Sequence, residues 1–492
     1  MRSPRVDPSR PLGRALGAAA AVLGSALLAA GCGGDGGAET ADAAPEPPAP
    51  IAPDSISLAD LEPCEDAEPA KGLRCGTLKL PFERADRSLG EIPIAFAVRP
   101  RTDRRSPTQG AIVAVEGGPG YGSIGSARGY INTFGDLLDH RELILVDARG
   151  TGRSEPIDCP DMQSGRATDD VGMAACADVL GERFGSYRTA AAADDINDVR
   201  AALGYDRIQM YGDSYGTYLA QSYAFRHGDT LEALVLDSAY PVRGESPWYP
   251  SIWKTGIRGL SIACERSPSC HGDAGRRLER FVAELRERRF GVGPLLDAIS
   301  EAGFSPPESY LRIDRAISDF LAGDEARYEA MTRPGHVAFG EPEGYSVGQE
   351  LTISCNDYPM RWDKDASWEE RRRQLSESIA EYPKRAFAPF TPAEVALTPD
   401  YSYTECLGAP PPSEHYEPPA ESGAEAPEMP VLVIGGELDD VTSPAEARAT
   451  AALFPNSELF LWRNAGHVYS LYDPGSKGAV RIREFLRRNQ SG

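Results

Sequence analysis

Ser214 stands in Gly212-Asp213-Ser214-Tyr215-Gly216, a residue pattern suited to a nucleophile. The apolar run Ile208 to Tyr211 leads into it and Tyr218 to Ala224 follows, so the stretch reads as strand, sharp turn, helix. Such a turn strains the serine backbone, exposes the hydroxyl and places a helix N-terminus behind it, where developing negative charge is favoured. The hydroxyl becomes a nucleophile only when a base takes its proton and a third group orients that base. Of the six histidines, His140, His227, His271, His336, His415 and His467, only His467 lies in a turn directly after a late strand. The acid is Asp439 or Asp440, at the mouth of the strand that starts at Val431. Asp439 comes first after the turn and is the choice here, with Asp237, ending an earlier strand, as a third candidate.

A second turn completes this chemistry. Ala111 to Val115 reads as a buried strand running into Glu116-Gly117-Gly118-Pro119-Gly120-Tyr121-Gly122. A Gly-Gly turn there places a backbone N–H beside the nucleophile, so Gly118 and Tyr215 are the expected oxyanion donors. Gly120, Gly122 and Gly125, with Asp147 closing the next strand, also fit a dinucleotide fingerprint. The oxyanion reading explains the same glycines, and Pro119 disturbs the turn a nucleotide needs. Asp147 to Ser154 is taken as a Gly-rich turn braced by an acid and an arginine. No metal or cofactor is called for.

The elements that must position these residues are legible as alternation. Strands are expected at 76–81, 92–98, 111–115, 143–146, 208–211 and 231–237, with a helix at 194–204. Buried strands alternating with helices imply a mostly parallel sheet covered on both faces. After Pro241 the alternation stops, and helical spacing appears at 273–290, 309–323 and 366–381. Sheet logic resumes at Val431 to Gly436 and Glu458 to Trp462. The fold class is therefore α/β, with a helical cap inserted after the sixth strand.

Composition sets further bounds. Among 492 residues, 51 Lys and Arg face 74 Asp and Glu, a formal charge of -23. That balance argues against a nucleic-acid or anionic membrane surface as target. Arg2, Arg5, Arg10 and Arg14 precede an apolar run from Ala15 to Ala30, an export signal in form. It ends in Leu28-Ala29-Ala30-Gly31-Cys32, which resembles a bacterial lipobox, so Cys32 is expected to carry a lipid anchor, with plain secretion as the alternative. Setting Cys32 aside from nine cysteines leaves Cys64, Cys75, Cys159, Cys176, Cys264, Cys270, Cys355 and Cys406. They fall in sequential couples without metal-ligand spacing, so each couple is expected to be a disulfide. The resulting segments are a signal peptide at 1–31, a tether at 32–55, a core at 56–240, the cap at 241–428 and the rest of the core at 429–492.

In order along the chain, Glu116-Gly117-Gly118-Pro119-Gly120, Asp147 to Ser154, Gly212 to Thr217, Asp439-Asp440-Val441-Thr442 and Gly466-His467 resemble the tripeptidyl and prolyl aminopeptidase-like branch of the α/β-hydrolases. The resemblance implies a secreted serine hydrolase with a Ser214–His467–Asp439 triad, acting on peptides with free N-termini beneath a helical cap. Prolyl iminopeptidases carry His where this chain has Glu116, so proline specificity does not transfer, and Glu116 is placed among the substrate-binding residues. Pairing of Cys355 with Cys406 would bring Asp357 and Glu405 near each other, where two carboxylates could hold a substrate ammonium. The expected partner is a peptide or small acyl substrate. An esterase or lipase of the same fold, and a surface binding module without activity, remain alternatives.

Overall fold

The computed structural model describes residues 55–64, 72–244, 250–333, 339–396, 398, 403–472 and 475–490. The expected signal segment, Cys32 and the expected tether up to residue 54 lie outside the described residues, and the fold is that of the unit Pro48–Gly492. Its nine strands are β1 Glu62–Pro63, β2 Arg74–Pro81, β3 Glu91–Arg99, β4 Ala111–Val115, β5 Glu142–Val146, β6 Ile208–Asp213, β7 Leu231–Asp237, β8 Val431–Gly436 and β9 Ser457–Trp462. They form one sheet in the order β1-β2-β3-β5-β4-β6-β7-β8-β9. Pairing is antiparallel from β1 to β5 by way of β2 and β3, and parallel from β5 onward.

β4, β5, β6 and β8 are buried at every residue, as strands faced by helices on both sides must be. On one face the helices Ala127–Phe134 and Lys477–Arg488 pack Tyr130, Phe134, Ile482 and Phe485 onto Tyr211, Val235 and Ile434. On the other, Thr189–Ala202 and Tyr215–His227 pack Ile196, Val199 and Leu219 onto Val113, Met210 and Leu234. Each fully buried apolar side chain contributes about 1.5–3 kcal/mol. These two layers hold the C-terminal ends of the parallel strands in fixed relation.

The cap follows β7 rather than a sixth strand, because Glu62–Pro63 adds a short edge strand that two residues could not announce by pattern. Between β7 and β8 every element among the described residues is helical. The expected cap helices are found at Ala274–Glu287, Glu308–Leu321 and Trp368–Glu381, and Pro250–Arg266 and Val347–Asp357 join them. All four couples are disulfides: Cys64–Cys75, Cys159–Cys176, Cys264–Cys270 and Cys355–Cys406. Among the described residues no helix is long and apolar enough to cross a membrane.

Candidate active site

Everything that could do chemistry stands where the parallel strands end, the edge at which open α/β sheets bind ligands. β6 ends at Asp213, and Ser214 turns into the helix Tyr215–His227 with φ 52° and ψ -123°. Neither flanking glycine can carry a side chain. A Cβ at Gly212 would lie 2.1 Å from Gly216 O, and one at Gly216 would lie 2.3 Å from Val115 O. Ser238 and Val468, which hold this turn to the histidine turn, also have positive φ, 57° and 52°. Ser214 N donates to Asp237 O at 3.0 Å, and Val468 N donates to Ser238 Oγ at 2.7 Å, so the end of β7 ties the two turns together. Backbone strain gathered at one place is a mark of function.

His467 lies in the turn after β9 and is 5% exposed. Its Nδ1 is 3.1 Å from Asp439 Oδ2 and 3.2 Å from Oδ1. Asp439 is fixed in turn by the N–H groups of Val441 and Thr442, at 3.0 and 2.8 Å, and by the Thr442 hydroxyl at 2.9 Å. The other two acids face elsewhere. Asp440 accepts from Gly303 N and from the Tyr310 hydroxyl, both at 2.8 Å. Asp237 accepts from the hydroxyls of Tyr211 and Ser470. Burial pushes Asp440 well above the usual carboxylate range and Asp237 up to about 6. Among the described residues Ser214 Oγ makes no hydrogen bond to His467 or to any other group.

The glycine turn after β4 sits directly on the nucleophile: a Cβ at Gly117 would lie 2.8 Å from Ser214 Cβ. No acceptor among the described residues meets the N–H of Gly118 or of Tyr215, which leaves both donors available. Gly120 and Gly122 are filled by protein, since added Cβ atoms would lie 2.8 Å from the Tyr345 ring and 2.8 Å from Asp147 Oδ1. That contact is the physical reason for glycines that also matched a nucleotide fingerprint. Asp147 is the expected brace, accepting from Ile124 N and Arg153 N at 2.9 Å each, while Arg149 pairs with Asp195.

The cap closes over this edge at two points. Ser346 N donates to Gly120 O at 3.0 Å, and His467 N donates to Gly303 O at 2.8 Å while the Phe304 ring stands edge-on to the imidazole. Behind Tyr215 a cluster of rings, Tyr218, Tyr240, Tyr358 and Tyr403, packs at centroid distances of 5.3 to 6.2 Å. Asp357 is buried there, and its Oδ2 accepts from Thr189 N at 2.6 Å. Thr189 Oγ1 in turn lies 3.0 Å from the Tyr215 hydroxyl. Glu405 is buried in the turn Thr404–Gly408 across the Cys355–Cys406 bridge. Glu116 Oε1 accepts from Gly117 N at 3.1 Å and Oε2 from the Tyr130 hydroxyl at 2.8 Å. The sequence alone assigns no role to Thr442, Tyr130 or the tyrosine cluster. For Thr442 a signal existed, a hydroxyl residue three positions after the acid in a turn.

Residues 110–255 match the alpha/beta hydrolase fold family, and residues 395–490 match the TAP-like protein family. Over 213 residues, 39% of this chain and 40% of the relative, the chain is 28% identical to the tripeptidyl aminopeptidase of Streptomyces lividans. It is 31% identical over 204 residues, 36% of this chain and 38% of the relative, to serine protease Hip1 of Mycobacterium bovis. With the proline iminopeptidase of Neisseria gonorrhoeae it shares 27% identity over 161 residues, 30% of this chain and 43% of that one. The chain thus spans about two fifths of the length of the curated relatives it matches.

Proposed function

We propose, for a chain that belongs to the α/β-hydrolases and closes on a TAP-like region, that it is an exported serine peptidase releasing residues or short peptides from free N-termini. The observation that carries its serine-hydrolase chemistry is the strained Ser214 at the β6 elbow, with His467 and Asp439 off the ends of β9 and β8.

In this mechanism His467 Nε2 takes the Ser214 proton as Oγ attacks the scissile carbonyl carbon. Asp439, on Nδ1, fixes the tautomer and offsets the imidazolium charge. The N–H groups of Gly118 and Tyr215 hold the oxyanion, each worth on the order of 3 kcal/mol in the transition state. His467 then protonates the leaving amine, and water, activated the same way, releases the acyl group. The Ser214–His467 hydrogen bond that this step needs is one that forms as the substrate is seated. Asp357 and Glu405, beyond Tyr215, are the acids proposed to meet the substrate ammonium. Export and a lipid on Cys32 belong to the same proposal.

An esterase would use the same triad, so substrates must decide. Free-amine tripeptide anilides, their N-acetylated versions and a short acyl ester are compared for wild type and Ser214→Ala. Cleavage of the free-amine anilide, lost in Ser214→Ala, supports the exopeptidase. Ester cleavage alone makes the protein an esterase. Failure of every substrate, together with no reaction of Ser214 with a fluorophosphonate, returns it to a binding module.

A further inference from the structure

The Tyr130 hydroxyl lies 2.8 Å from Glu116 Oε2 and 2.9 Å from Asp213 Oδ1. A phenol carries one hydrogen and can donate it to only one of two carboxylates. The second short contact is satisfied when the other carboxyl is itself protonated and donates to the phenol oxygen. Asp213, 2% exposed, suits the protonated form, because burial penalises its charge. Glu116 is half-buried and also accepts from Gly117 N. Consistent with this, burial, then the Glu116 charge and a direct hydrogen bond between the two carboxyls, push Asp213 well above the usual carboxylate range.

We propose that Glu116 and Asp213 share one proton through Tyr130, and that this singly charged pair positions the Gly117-Gly118 oxyanion turn against Ser214. The proposal rests on the serine-hydrolase reading above. The Glu116 carboxylate grips Gly117 N–H, Gly117 packs on Ser214, and the peptide that presents Gly118 N–H is held between them. Glu116 thereby becomes a positioning residue rather than a substrate ligand. The groups facing the pair are Tyr121 from the same turn, Tyr130 from the helix Ala127–Phe134, Tyr211 and Asp237 from β6 and β7, and Tyr472. All are acidic or phenolic, and no ion pair reaches either carboxyl among the described residues. When the shared proton leaves to solvent, two negative charges stand behind a site that must stabilise a third, so reactivity falls on the alkaline side.

The test is the rate of Ser214 phosphonylation by a fluorophosphonate across pH, which needs no substrate ammonium. Wild type is expected to lose rate at alkaline pH. Asp213→Asn keeps a donor toward Tyr130 that cannot titrate, and should move the alkaline fall up by about one pH unit or more. Tyr130→Phe removes the bridge and should move it down. An Asp213→Asn profile that superimposes on wild type, or is lowered equally at every pH, overturns the proposal. If Asp213→Asn does not fold, an unmoved Tyr130→Phe profile overturns it alone. No phosphonylation at any pH fails the serine-hydrolase reading instead.

Discussion

Nδ1 of His467 lies 3.1 Å from Oδ2 of Asp439, while Asp440, the next residue, turns its carboxyl to Gly303 and Tyr310. Adjacent acids therefore separate chemistry from architecture. Asp439→Asn is expected to lower kcat on the order of 10⁴-fold, because an amide cannot hold the productive imidazole tautomer. Asp440→Ala should instead lower stability by about 1–3 kcal/mol, because it strands the Gly303 N–H and the Tyr310 hydroxyl. Steady-state kinetics and thermal melts of the two variants check the division; equal kinetic losses would refute it.

Gly303 couples the cap to the histidine. Its carbonyl accepts His467 N at 2.8 Å, and a Cβ there would lie 2.1 Å from Asp440 Oδ1. Gly303→Ala must push the cap turn off the His467 turn. The expected outcome is a fall in Tm accompanied by a fall in kcat/KM on the order of tenfold or more, since small misplacements of catalytic groups are costly. A variant with lowered Tm and unchanged kcat/KM would show that the cap does not hold His467.

Stability should depend on pH with a worked sign. Burial raises Asp147 and Asp237 to about 6, against about 3.9 in an unfolded chain. Between those values the folded protein binds protons that the unfolded chain has lost, so stability rises as pH falls from about 6 to about 4. Glu83 runs the other way. Burial raises it, but the Arg188 hydrogen bond and charge outweigh burial and hold it at about 2, so its contribution is lost as pH falls below about 4.3. These groups together predict a mildly acidic optimum in Tm. Asp237→Asn should flatten the slope between about pH 4 and 6; a slope identical to wild type would exclude Asp237 as a source.

The strand and helix alternation, the elbow and the Ser, Asp, His order were legible because each is local or depends only on order. Two cap helices were not. Pro250–Arg266 buries Ile252, Trp253, Leu260 and Ala263, but Gly256 and Gly259 interrupt that face: a Cβ at Gly259 would lie 2.4 Å from the Tyr310 ring, so close packing there leaves a gap in the apolar pattern. Val347–Asp357 is buried nearly all round while rich in Gln, Thr, Ser and Asn, which erases any amphipathic period. The sequence assigns Asp213 no role beyond its place between Gly212 and Ser214. Its role depends on Tyr130, which is 83 residues away in the chain and meets it only because a helix lies across that face of the sheet.

The proposed peptidase reading is tested against an esterase at Asp357. It is buried beside the ring cluster, two contacts from Tyr215 through Thr189, and burial raises it above the usual carboxylate range. A buried carboxylate of this kind gains from a cation brought by substrate, since the ammonium offsets its desolvation. Asp357→Asn, alone and with Glu405→Gln, is therefore expected to lower kcat/KM for free-amine tripeptide anilides by on the order of 30-fold relative to the acyl ester. The loss should fall mainly on KM, because the ammonium is bound equally in ground and transition states. Parallel losses on both substrates would mean that Asp357 only anchors Thr189 and that the ammonium is met elsewhere in the cap.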